Sequence, residues 1–125
     1  MTEQEIKNMQ VSTRFVYKNI TKVDQLLQIA EEASELSAAA AKYVRVLRGI
    51  NPSPLSCTQA CENVAEEIAD VLVTLNVFGA INVNADEMRI TIDSRIFQTM
   101  AEKTERWAGR LLDAKIRKGG GYHGG

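Results

Sequence analysis

Residues that break helices are concentrated in two places in this chain. Both prolines, Pro52 and Pro54, fall in the segment Gly49 to Ser56, and five of the eight glycines fall at 119–121 and 124–125. Proline lacks the amide hydrogen a helix interior needs, and glycine pays the largest ordering entropy. The rest of the chain is nearly free of both, and rich in Ala, Leu, Glu, Lys and Gln, which favour helix. The expected fold class is therefore all-α, an antiparallel helical bundle of four to five helices with one clear internal loop. A length of 125 residues fits one domain. That domain is expected over 1–118, with a flexible Gly-rich tail at 119–125.

Periodicity and caps divide the body further. A helix from about Thr21 to Arg48 carries the apolar stripe Leu26, Ile29, Ala33, Leu36, Ala40, Tyr43 or Val44, and Leu47. Beside it runs a polar stripe of Gln25, Gln28, Glu32, Glu35, Ala39 and Lys42. A second helix starts near Ser56, where Gln59 completes a capping box, and runs to about Gly79. Its apolar stripe is Val64, Ile68, Val71 or Leu72, Leu75 and Phe78, flanked by Asn63, Glu67, Asp70 and Thr74. Thr2 to Gln10 suggests a short helix, while Val11 to Ile20 is compatible with helix or extended chain. Asn84-Ala85-Asp86-Glu87 is a further capping signal. Ile90-Thr91-Ile92 has strand character but no evident partner strand, so helix is expected there, broken near Asp93. The last helix reaches about Lys118.

Both polar stripes carry an acidic pair at i and i+3, a spacing that puts both members on one face of a helix. The first pair is Glu32 and Glu35, within Glu31-Glu32-Ala33-Ser34-Glu35; the second is Glu67 and Asp70. The short loop predicts that the two helices return antiparallel. At the helical rise, Glu35 and Glu32 lie about 20 and 24 Å before Arg48, and Glu67 and Asp70 about 15 and 20 Å beyond Cys57. The pairs come level within one turn, with Glu32 facing Asp70 and Glu35 facing Glu67. Four carboxylates so close raise one another's pKa values unless a cation neutralises them. The ligands are all oxygen, which favours Mg²⁺, with Mn²⁺ as the alternative.

Other chemistries are disfavoured. Fifteen basic and sixteen acidic side chains leave a net charge of −1, which argues against a nucleic-acid partner. No apolar run approaches the roughly 20 residues that span a bilayer. With no signal-peptide pattern at Met1-Thr2-Glu3-Gln4-Glu5, a cytoplasmic location is expected. Cys57 and Cys61 are expected to be reduced thiols, one or both packed. The single histidine, His123, lies in the tail and leaves zinc without a ligand set. Lys103, Arg106 and Arg110 form a basic i, i+3, i+7 stripe that could meet phosphates or pair locally. Lys42 shares the polar stripe of Glu35. Trp107 stands at core spacing, where burial is the usual outcome.

The ordered pair of acidic motifs resembles the MazG-like nucleotide pyrophosphohydrolases, in the all-α NTP pyrophosphatase superfamily, and is most like their small, phage-type members. EEASE (Glu31 to Glu35) and EIAD (Glu67 to Asp70) match the family's EExxE and ExxD, EEIADVLVTL (Glu66 to Leu75) its second helix, and KTERW (Lys103 to Trp107) a downstream basic segment. The resemblance covers roughly Gln25 to Arg110. The acidic motifs stand somewhat further apart than is typical, an excess that the Gly49–Ser56 loop accounts for. The resemblance implies cleavage of a nucleoside triphosphate between its α and β phosphorus atoms, giving a monophosphate and pyrophosphate. It implies Mg²⁺ held by Glu32, Glu35, Glu67 and Asp70. Glu31, which precedes the first ligand, could orient the attacking water or support the metal's shell; the match favours Lys103 and Arg106 as substrate-binding residues, and Lys42, from its place on the Glu35 stripe, is a further candidate. A phosphoribosyl-ATP pyrophosphohydrolase-like enzyme, or a non-catalytic helical interaction module, is the alternative. Broad apolar faces and the family's habit predict a homodimer or homotetramer.

Overall fold

The computed structural model describes residues 1–49 and 55–121. Pro52, Pro54 and His123, on which three of the expectations above rest, lie outside the described residues. The element order is α1 (Glu3–Asn19), α2 (Lys22–Arg48), α3 (Cys57–Phe78), β1 (Ile81–Asn84), β2 (Arg89–Ile92) and α4 (Ser94–Gly121). The fold is all-α, with one small hairpin. Contacts divide it into two compact units, Met1–Thr91 and a second that begins at Ile92 and contains α4.

Local chemistry sets the helix ends. The Thr2 hydroxyl accepts from the Glu5 amide at 3.1 Å, and the Glu5 carboxylate accepts from the Thr2 amide. That box starts α1, which runs unbroken through Val11 to Asn19. Thr21 caps α2 through the Asp24 amide at 3.1 Å. Ser56 and Gln59 exchange hydrogen bonds of 2.9 and 3.1 Å at the start of α3. α2 and α3 both end on a left-handed glycine: Gly49 at φ 62° and Gly79 at φ 94°. A side chain in that region is strained even though a Cβ would meet nothing within 4 Å at either position.

Helices α2 and α3 form the main contact of the first unit. The Lys22 ammonium lies 4.6 Å from the Phe78 ring centre, and Tyr43, near the other end of α2, sits beside the Cys61 thiol. Early residues of one helix thus meet late residues of the other, so the pair is antiparallel. On α2 the covered residues are Gln25, Ile29, Glu32, Leu36, Ala39, Tyr43 and Val46; on α3 they include Ala60, Val64, Glu67, Val71, Thr74 and Phe78. Both sets alternate by four and three, the repeat of a two-helix seam. This corrects the expected stripes. Leu26, Ala33, Ala40 and Leu47 of α2, and Ile68 and Leu72 of α3, are exposed. Glu32 and Glu67 therefore sit in the seam itself, with Glu35 and Asp70 at its edge.

The segment after α3 also differs from expectation. β1 and β2 pair as a two-stranded sheet, so Ile90-Thr91-Ile92 is strand and its partner is Ile81–Asn84. The Asn84 side chain does accept from the Glu87 amide, at 3.0 Å, but in a turn rather than at a helix start. Met88, at φ 52°, completes the reversal. Ile81 and Val83 point inward, and Val83 and Ala85 form a small core with Ile6 of α1. Gln10 donates to the Val83 carbonyl, and Asn76 to the Thr13 hydroxyl at 3.3 Å, which ties α1 to the hairpin and to α3. α4 follows Asp93, whose carboxylate accepts from the Arg95 amide at 2.9 Å, and it continues past Lys118 to Gly121.

Candidate metal centre

The α2–α3 seam turns four carboxylates toward one another. Glu32 and Glu35 come from consecutive turns of α2, Glu67 and Asp70 from consecutive turns of α3. Each offers one oxygen, and these oxygens all lie within 4.8 Å of one another. Glu32, Glu67 and Asp70 are half-buried, and Glu35 is exposed. Among the described residues, Glu32 Oε2 and Glu67 Oε2 are enclosed and accept no hydrogen bond. An enclosed carboxylate oxygen without a donor is costly.

The electrostatics follow from that crowding. Burial pushes the Glu32 carboxyl above the ordinary carboxylate range. A hydrogen bond with Glu35 and the charges of Glu35, Asp70 and Glu31 push it further. Burial likewise pushes Glu67 up, followed by the charges of Glu35, Asp70 and Glu66 and a hydrogen bond with Glu35. No described Lys or Arg forms an ion pair with any of the four. A hard divalent cation fits this set: it matches the all-oxygen donors, satisfies the two orphaned oxygens and offsets the repulsion.

The cluster lies between two cavities of the same helix pair. One, of about 370 Å³, is lined by Glu35 and Glu67 together with Lys42 and Asn63. The other, of about 860 Å³, is lined by Glu31 together with Gln25, Gln28, Val73, Thr74 and Val77. Lys42 and Glu31, both singled out from sequence, thus stand at opposite ends of the cluster. Lys103 and Arg106 are exposed on α4, in the second unit. Gln25, Gln28, Asn63 and Thr74 were visible in sequence only as members of the polar stripes. Their signal was their register with the acidic pairs, which by itself assigns no role.

Three side chains depart from expectation. Cys57 and Cys61 are free, as expected, but both are exposed rather than packed. The Cys61 thiol, with burial and Cys57, holds the Tyr43 phenol above its ordinary pKa. Trp107 is 67% exposed instead of buried.

An antiparallel helix pair with an all-oxygen ligand set in its seam defines an all-α protein built around a candidate cation site. Comparison with known families identifies that class more closely. The chain belongs to the family of the MazG nucleotide pyrophosphohydrolase domain, whose model matches residues 21–108. The match contains α2, α3, the hairpin and the first half of α4, and all four carboxylates. Members of this family are hydrolases of nucleotides and are typically metal-dependent. No curated protein and no solved structure matches the chain significantly. Among the described residues, no helix is long and apolar enough to cross a membrane.

Proposed function

We propose that the protein is a Mg²⁺-dependent nucleoside triphosphate pyrophosphohydrolase, which cleaves the α–β phosphoanhydride to give a nucleoside monophosphate and pyrophosphate. The observation that carries this reading is the convergence of four carboxylates, two of them with enclosed oxygens that lack a donor. Mn²⁺ would fill the same oxygen set.

Glu32, Glu35, Glu67 and Asp70 would hold the ion. Bound there, the ion supplies neutralisation of the polyphosphate and a lower pKa for a coordinated water. The chain's own groups do the rest. Glu31, one residue before Glu32 and exposed at the larger cavity, orients the attacking water and accepts its proton. As the water oxygen bonds to phosphorus, the bond to the bridging oxygen breaks and its electron pair leaves with pyrophosphate. Lys42, beside Glu35 and Glu67, offers an ammonium to the leaving phosphates. Lys103 and Arg106 are further phosphate ligands in this scheme.

We also infer a homodimer or homotetramer. Val23, Leu26 and Leu47 of α2 are each about half or more exposed, a surface that a second copy would cover. The enzyme reading is tested with a panel of canonical and modified nucleoside triphosphates and phosphoribosyl-ATP, assayed for pyrophosphate with Mg²⁺ or Mn²⁺. Pyrophosphate from at least one triphosphate is expected. No hydrolysis of any, or orthophosphate alone, overturns the reading.

A further inference from the structure

Gln25 is 4% exposed, and its Oε1 accepts no hydrogen bond among the described residues. It lies in the α2–α3 seam on the same four-three repeat as Glu32, two turns and about 10 Å before it. The cavity it lines has apolar walls, supplied by Ile20, Leu27, Val73 and Val77, and reaches Glu31 beside the carboxylates. The cavity on the other side of the cluster is smaller and carries the ammonium of Lys42 and the amide of Asn63. Gln28, Glu31, Glu35 and Lys42 recur along one flank of α2, as Asn63, Glu67, Asp70, Thr74 and Val77 do along α3. The two cavities and the cluster therefore form one groove with different chemistry at its two ends.

We propose that this groove binds its substrate with one polarity, the nucleobase toward Gln25 and the departing pyrophosphate toward Lys42, and that Gln25 reads the edge of the base. This rests on the nucleotide pyrophosphohydrolase reading above. Apolar walls suit the faces of a heteroaromatic ring. A carboxamide, with a donor and an acceptor side by side, suits a base edge that presents the complementary pair. The ribose and α-phosphate bridge a gap of the size that separates Gln25 from Glu32. An enclosed acceptor without a donor penalises any base that leaves it so, and selectivity arises from that penalty.

Titration of the ¹⁵N-labelled full chain separates the two ends. The four nucleoside 5′-monophosphates are used as one probe, and inorganic pyrophosphate with Mg²⁺ as the other. The monophosphates are expected to shift the Gln25 side-chain amide and the Thr74 and Val77 backbone amides. Pyrophosphate is expected to shift Asn63 and Lys42. Gln25→Met should weaken the preferred monophosphate about tenfold, the worth of one lost hydrogen bond, and leave pyrophosphate unchanged. Lys42→Ala should do the reverse. The proposal is overturned if the monophosphates perturb the Lys42 end, if none perturbs the Gln25 end, or if Gln25→Met binds all four as wild type does. If the monophosphates map to Gln25 but no triphosphate is hydrolysed, the enzymatic reading fails and the assignment of the groove stands. If pyrophosphate is released and the map is reversed, this proposal fails and the enzymatic reading stands.

Discussion

Replacing Gln25 by Met removes the one fully enclosed uncharged acceptor that lacks a donor among the described residues, and keeps the unbranched shape of the side chain. Gln25 retains 4% of its surface, so water offers its oxygen little compensation. An unsatisfied buried polar group costs about 1–3 kcal/mol, and Met carries no such group. Its thioether also sits comfortably against the apolar walls of Val73 and Val77. At this chain length about 1 kcal/mol moves the melting temperature by about 4 °C, so a rise of roughly 4–12 °C is expected. The assay is a thermal melt of the metal-free and ligand-free variant beside wild type, with urea unfolding to show that the m-value is unchanged. A stability gain at a position where nucleotide binding is lost is the signature of a group kept for its ligand. A lower melting temperature for Gln25→Met would refute the reasoning, because it would mean that the oxygen is already satisfied in the folded protein.

Four further outcomes follow from the same geometry. Glu67→Gln removes one of four crowded charges, so the metal-free variant should melt above wild type; added Mg²⁺ or Mn²⁺ should raise the melting temperature of wild type only. Glu32 and Glu67 have folded pKa values raised above their ordinary value of 4.5, so the metal-free fold binds more protons than the unfolded chain. Their contribution is fully present below pH 4.5 and is lost as pH rises through the raised values, so metal-free melting temperature should fall with pH across that window. With saturating Mg²⁺ the trend should reverse, because the ion binds the deprotonated cluster. Gly79→Ala should destabilise by about 1–2 kcal/mol in urea unfolding, from the left-handed backbone alone, since its Cβ would meet no neighbour.

Much of the helical frame was legible in residue types. Thr21, Ser56 and Gln59 announce helix starts because capping is local chemistry, decided within three residues. The levels of Glu32, Glu35, Glu67 and Asp70 followed from helical rise alone, because two straight helices joined by a short loop leave little freedom. The hairpin was not legible. An Asn with Glu three residues on serves a helix start and a turn equally well, and Asn84 uses it for the turn. Four-residue strands are also too short to display a period. The seam was misplaced because α2 is apolar on more than one side. Leu26 and Leu47 are as hydrophobic as Ile29 and Leu36, and only packing chooses between them. The role of Gln25 was hidden for a related reason: in a polar stripe, an enclosed amide and a solvated one look alike.

In the proposed function, the four-carboxylate cluster holds the cation that makes α–β cleavage possible. Its most direct test is ³¹P NMR of a nucleoside triphosphate incubated with the protein. The samples are wild type with Mg²⁺, wild type with excess chelator, and Glu67→Gln with Mg²⁺. Monophosphate and pyrophosphate signals are expected in the first sample, and unchanged triphosphate in the other two. Diphosphate with orthophosphate, or equal turnover by Glu67→Gln, would contradict it.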